Sequence, residues 1–292
     1  MIIKSYLELT KPKVLSLIMF TAFTGMLLAS GGGFPVVKIV IALIGIGLGA
    51  AAGAAINHVV DEEIDAKMQR TKDRPLPTHA IPRKNALIFA ISLAASSFLI
   101  LAIWVNMLTA WLTFISMIAY AVIYTIYLKR NTPQNIVWGG AAGAMPPVLG
   151  WVAISNTIHT EALLLFLIIF IWTPPHFWAL AIKRREEYKK VNIPMLPVTH
   201  GVDFTKKQIL LYTVMLLAVS LLPFAIKMSG LVYLIAAVAL GLVFIVRAWK
   251  LHQNPSDKNA MKTFGFSIFY LSALFLFLLL DHYIRFIVRF YY

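Results

Sequence analysis

Two things are scarce in this 292-residue sequence: cysteine, of which there is none, and negative charge, carried by 12 Asp and Glu against 26 Lys and Arg. The first absence excludes disulfides, thiolate metal sites and thiol catalysis. The second leaves a formal charge of +14, which in a soluble chain would suggest nucleic acid. Here 22 of the 26 basic residues lie in the N-terminal tail or at and just after the ends of every second apolar run. That is the asymmetry of cytoplasmic membrane loops, so the basicity sets topology and no nucleic-acid partner is expected. No cleavable signal and no Arg/Ser-rich transit peptide is read ahead of the first run, and no stretch reads as a separate soluble domain.

What the sequence has in abundance is apolar length: 60% hydrophobic residues and a mean hydropathy of +0.80. Runs near the 20 residues needed to cross a bilayer fall at 14–31, 37–59, 86–105, 107–128, 135–153, 162–182, 208–226, 230–249 and 263–284. We therefore expect one all-α integral membrane domain over residues 1–292, with nine transmembrane helices around a central cavity. The charge pattern puts the N-terminus in the cytoplasm and the C-terminus outside, and a bacterial (or archaeal) plasma membrane suits it.

Five of the twelve acidic residues sit within residues 57–77, directly after the second run. If that run continues as a helix, Asn57, Asp61 and Asp65 fall at i, i+4 and i+8, within about 80° of one another and roughly 6 Å apart along the axis. An amide and two carboxylates then share one stripe at the mouth of a membrane helix. Such hard oxygen ligands suit Mg²⁺, which takes its remaining ligands from water and substrate phosphate. Arg70, Lys72 and Arg74 follow and can grip anionic oxygens that the metal leaves free. The stretch reads as a Mg²⁺–diphosphate site, with catalytic loops on the cytoplasmic side. A solvated loop would not require this spacing.

Elsewhere the polar and special residues are few. Lys11 and Lys13 flank Pro12 and read as an interfacial lead-in. Gly45-x-x-x-Gly49-x-x-x-Gly53 is a helix-packing face or room for a bulky ligand. Tyr120, Tyr124 and Tyr127 share an α-helical face, either as an aromatic belt or as a wall for a cationic intermediate. Lys129 and Arg130 close that span on the side of the acidic stretch. Gly139, Gly140, Gly143, Pro146 and Pro147 predict a broken fifth span. Pro174-Pro175 predicts a break in the sixth. Beyond it His176, Lys183 and Glu187 point within about 40° of one direction, and a histidine in lipid is costly enough to be a functional candidate. The loops after the second and sixth spans both begin with charges and end in proline-bearing returns, which suggests an internal duplication. Asp281 and His282 read as solvated at the external end of the last helix. A diphosphate site beside a greasy cavity fits an allylic prenyl diphosphate, ionised with its leaving charge stabilised and water excluded until an acceptor traps the cation.

These motifs carry a resemblance. Leu9-Thr-Lys-Pro-Lys13, Asn57-x-x-x-Asp61-x-x-x-Asp65, Arg70-Thr-x-x-Arg74-Pro-Leu-Pro77, Pro174-Pro-His-Phe-Trp178 and Pro194-Met-Leu-Pro197 resemble the intramembrane prenyltransferase superfamily, and the last two its haem-farnesylating branch. Where many members have a second Asp-x-x-x-Asp, this chain has Arg184-Arg-Glu-Glu-Tyr188. The resemblance implies transfer of farnesyl from farnesyl diphosphate to a vinyl group of haem B, followed by water addition to give haem O. A haem A synthase or terminal-oxidase assembly would then consume that product. It implies Asn57, Asp61 and Asp65 for Mg²⁺–diphosphate, and Arg70, Arg74 and Lys183 for pyrophosphate. Glu187 stands in for the second acidic motif. His176 is assigned to haem, in the sharper form as an axial ligand, and Lys129 and Arg130 to haem propionates or diphosphate. Two rivals are prenylation of a quinone precursor such as 4-hydroxybenzoate and, from another class, a transporter with broken helices.

Overall fold

Apolar runs in lipid must satisfy their own backbone, and helices do so within one segment. The computed structural model describes residues 2–291, and side chains through residue 288. It is helical throughout, with nine stretches among the described residues long and apolar enough to cross a membrane. A short α1 (Ile2–Leu9) precedes α2 (Pro12–Ala29), and α3 (Val36–Lys67) carries the second crossing. The third crossing is α4 (Arg83–Trp104). The fourth is α5 (Met107–Ile118) running into a π-helical segment (Ala119–Leu128) and a closing turn, α6 (Lys129–Asn131). The fifth is split into α7 (Asn135–Ala144) and α8 (Pro146–Ser155), and the sixth is α9 (Thr160–Lys183). Short α10 (Arg185–Lys190) and α11 (Leu196–Thr199) lead to α12 (Gly201–Ala225), α13 (Leu231–Gln253) and α14 (Asp257–Tyr291).

The expected break in the fifth span is present: α7 stops at Ala144 and α8 restarts with prolines in its first turn, where a missing N–H is no loss. The break expected at Pro174-Pro175 is not. The sixth span is one helix through both prolines, although the carbonyls of Phe170 and Ile171 lose their i+4 donors.

Gly25 and Gly150 let α2 and α8 cross in backbone contact. A Cβ at Gly25 would lie 2.2 Å from the Pro147 carbonyl oxygen, and one at Gly150 would lie 1.9 Å from that of Ala22. The glycine stripe of α3 is a packing face too: Gly45 meets Leu101 of α4, and Gly49 meets Ser97 and Thr113. Ser97 donates to the Gly45 carbonyl at 2.7 Å. A buried cluster including Trp151, Trp172, Tyr233, Tyr270 and Phe275 joins α8, α9, α13 and α14. Alternating crossings bring the ends of α3, α6, α9 and α13 to one basic face.

Candidate active site at the basic face

The C-terminal turns of α3 do present Asn57, Asp61 and Asp65 together, and all three are buried. The Asn57 amide donates to Asp61 Oδ2 at 2.8 Å and to Thr125 Oγ1 at 3.1 Å. Lys129 Nζ lies 2.6 Å from Asp61 Oδ2, and Arg130 lies 3.9 Å from Asp61 Oδ1 while donating to the Val60 carbonyl at 3.0 Å. Arg74 pairs with Asp65 at 2.6 Å, and Thr71 donates to the Asp65 carbonyl at 2.9 Å, folding the loop after α3 back onto its acids. Asp61 is 2% exposed and Lys129 14%, so this pair sits where removing one partner would cost about 3–5 kcal/mol.

Lys11, which the sequence assigns to the interface, joins this site. It occupies a left-handed conformation, φ 51°, at the break between α1 and α2. For a side chain other than glycine that is a strained choice. The turn throws Nζ inward, where it donates to Asn57 Oδ1 and contacts the Tyr120 hydroxyl at 3.4 Å. Burial, and next the charge of Arg74, lower its pKa from the usual lysine value to about 8. The interfacial role expected for Lys11 gives way to one inside the site.

The three tyrosines also divide. In the π-helical segment (Ala119–Leu128) each backbone N–H bonds the carbonyl five residues back, and the Thr125 side chain adds a bond of its own to the Tyr120 carbonyl at 2.8 Å. Residues four to five apart then stack, and a residue seven along turns away. Tyr120 and Tyr124 accordingly stack face to face, centroids 5.7 Å apart and planes 14° from parallel. Tyr124 lies over Gly139, where a Cβ would be 2.1 Å from its ring. Tyr127 is 61% exposed, as a belt residue would be.

The second loop contributes unevenly. Arg70 reaches solvent, and its pKa is lowered by desolvation and by the like charges of Arg74 and Arg184. It therefore stands between the two loops. Burial raises the pKa of Tyr188, with Arg70 and Arg184 opposing. Glu187 Oε2 is buried without a hydrogen-bond partner. Lys183, expected at the diphosphate, points elsewhere: with Arg185 it holds Asp257 of α14, at 3.0 and 2.9 Å. His176 lies between α9 and α14, stacked against Trp172 at 4.3 Å and Phe264 at 4.5 Å. Its Nδ1 is 2.6 Å from Ser267 Oγ.

The donor set at α3 fits a hard divalent ion. It is all oxygen, and Asp61 Oδ1 is buried without a hydrogen-bond partner, a lone pair that a cation would satisfy. Lys11, Lys129 and Arg74 supply positive charge to the same groups in this structure. Asp281, expected to be solvated, is instead 1% exposed. It accepts from the Gly230 and Tyr233 amides at 2.5 and 3.2 Å, satisfying the first turn of α13 from a neighbouring helix.

Residues 18–278 match the UbiA prenyltransferase family. A Protoheme IX farnesyltransferase of Thioalkalivibrio sulfidiphilus is 59% identical over 282 residues, 97% of this chain and 93% of that protein. A structure of digeranylgeranylglyceryl phosphate synthase superposes with a TM-score of 0.81 at 22% identity, covering 97% of this chain and 99% of the other. A UbiA homolog from Archaeoglobus fulgidus, bound to DMAPP and Mg²⁺, superposes with a TM-score of 0.65 at 16% identity, covering 94% and 99%.

Proposed function

The chain belongs to the UbiA prenyltransferase family, and we propose from that premise that it transfers a farnesyl group from farnesyl diphosphate to a vinyl group of protohaem IX. The observation that carries the chemistry is the stripe Asn57–Asp61–Asp65 met by Lys11, Arg74 and Lys129 at a helix mouth. The acceptor is supported by the 59% identity to a Protoheme IX farnesyltransferase. The same identity speaks against a quinone precursor. Against a transporter, the ion-paired site groups lie at one membrane face rather than at the midplane.

Asn57, Asp61 and Asp65 would hold Mg²⁺, a choice supported by the all-oxygen donor set and by the ion in the Archaeoglobus homolog. When bound, the ion neutralises charge on the departing diphosphate. Lys11, Lys129 and Arg74 then turn from the ligand oxygens to the diphosphate, with Arg130 and Arg70 at its margin. The allylic C–O bond breaks with its electron pair leaving on pyrophosphate. The stacked faces of Tyr120 and Tyr124 shield the farnesyl cation from water and stabilise it electrostatically. The vinyl π-bond attacks that cation, and water adds to the new carbocation with loss of a proton, giving haem O.

His176 is assigned to haem. Ser267 Oγ donates its single proton to the Phe264 carbonyl at 2.6 Å, so Nδ1 of His176 must be the donor in their shared bond. That leaves Nε2 with a lone pair for iron. The whole chain works as one membrane domain with its basic face in the bacterial cytoplasm, and haem O passes to terminal-oxidase assembly directly or after conversion to haem A.

The test is pigment analysis of a bacterium lacking its own haem O synthase and expressing this chain. A haem O peak identified by mass, absent when Asp61→Ala replaces the wild type, is expected. Haem B alone, with the protein present and folded in the membrane, would overturn the acceptor.

A further inference from the structure

At the opposite face, the turn between α12 and α13 forms a recess of about 420 Å³ with the end of α14, lined by Phe224, Ala225, Lys227, Ser229, Gly230 and Arg285. We propose that this recess binds a phosphate group, carried by the headgroup of an anionic phospholipid. Three features of the recess point to an anion.

Lys227 is held in the left-handed region, φ 63°, an unfavourable place for a lysine that fixes how its backbone enters the recess. Arg285 is anchored by donating to the Lys227 carbonyl at 3.2 Å, and its other terminal nitrogen lies 4.0 Å from Asp281. Asp281, whose oxygens also accept from the Gly230 and Tyr233 amides, brings one negative charge against the two cations and leaves one in excess. The third feature is Ser229. It is 4% exposed, and its Oγ is buried without a hydrogen-bond partner. A buried donor left unmade is costly, and a phosphate oxygen would satisfy it.

The position favours a lipid. The recess opens at the ends of three membrane-spanning helices, where headgroups lie, and Phe224 and Ile226 beside it are exposed as acyl-chain contacts would be. Gly230 keeps the recess clear: a Cβ there would lie 3.0 Å from Asp281 Oδ1 and 3.1 Å from the Arg285 side chain.

The test uses the purified full chain in detergent, with lipid retention read by native mass spectrometry and thermal unfolding as a second measure. Phosphatidylglycerol is expected to be held about tenfold more tightly than diacylglycerol with the same tails, the difference a charge-assisted hydrogen bond supplies. Lys227→Gly removes the charge while relieving the backbone, so it should fold at least as well and lose the preference. Ser229→Ala should weaken it severalfold, and haem O formation should be unchanged in both. Inorganic phosphate serves as the third probe. If it stabilises the wild type and displaces phosphatidylglycerol, free phosphate is the natural source. If it does neither while phosphatidylglycerol binds, the source is the lipid. Equal retention of phosphatidylglycerol and diacylglycerol, or a preference that survives Lys227→Gly, overturns the proposal.

Discussion

The two loops that shape the basic face begin alike, with a helix continuing past its apolar run into charge, and they end differently. After α3 the charge turns inward: Asp61 and Asp65 are buried and matched by Lys129 of α6 and Arg74 of the loop itself, with Lys11 on the neighbouring Asn57. After α9 it turns outward, and Lys183 and Arg185 are spent on Asp257, with side chains 48% and 37% exposed. Arg184 and Tyr188 face the first loop through Arg70, with Glu187 beside Tyr188. One half therefore buries its carboxylates in a cluster of oxygen groups and the other buries a single carboxylate oxygen, so the proposed metal site rests on the first.

The sharpest way to break that comparison is to neutralise one acid in each half. Asp65→Asn should reduce haem O formation by about 10³, some 4 kcal/mol of transition-state stabilisation, and excess Mg²⁺ should restore part of it. Glu187→Gln should cost less than about tenfold. Equal losses, measured as turnover in isolated membranes, would mean that both loops hold metal.

Lys11 comes next, because it reaches the ligand stripe from outside both loops. Lys11→Met keeps the apolar stem and removes the charge. It should lower turnover by about 10- to 100-fold, the worth of one charge-assisted hydrogen bond at a desolvated site. A rise in the KM for farnesyl diphosphate, with kcat unchanged, would restrict Lys11 to substrate binding.

These two residues also mark what the sequence can and cannot disclose. Asp61 and Asp65 are legible because helical spacing is local: once residues 39–65 are one helix, their common direction follows from 3.6 residues per turn. Lys11 is not, since its reach depends on a left-handed residue between two helices, set by tertiary contact. The tyrosines fail for a related reason. An α-helical count joins Tyr127 to Tyr120 and Tyr124, and the π register that separates them has no sequence signal in this segment. Asp281 was misplaced because a carboxylate near a helix end is ordinarily solvated, and its amide partners come from a different helix. The spans and the Asn57–Asp61–Asp65 stripe come from one-dimensional patterns, while the pairing of charges between helices does not.

His176 tests whether the second half recruits the acceptor. His176→Phe keeps a ring between Trp172 and Phe264 but removes both nitrogens. Stability should fall by about 1 kcal/mol for the lost Ser267 bond, and haem affinity by about tenfold, with a shifted Soret band in the haem-loaded protein. An unchanged spectrum and affinity would return the histidine to a packing role.

The smallest effect is expected at Asp257, and it bears most directly on why the halves differ. The carboxylate holds Lys183 and Arg185 outward at 3.0 and 2.9 Å, and these two bonds lower its pKa below the usual carboxylate range. With a depressed folded value, the stabilisation is present above the unfolded pKa near 3.9 and is lost as pH falls through the folded one. Pairs this exposed contribute under about 1 kcal/mol, so Asp257→Ala should barely change thermal unfolding at neutral pH. Its consequence should be electrostatic. Lys183 and Arg185 become available beside Arg70, and the KM for farnesyl diphosphate should fall by up to about twofold. High salt should erase the change, because screening acts first on exposed charges. A KM that rises instead would show that the outward pairing positions the second loop for catalysis, rather than merely withholding two cations from it.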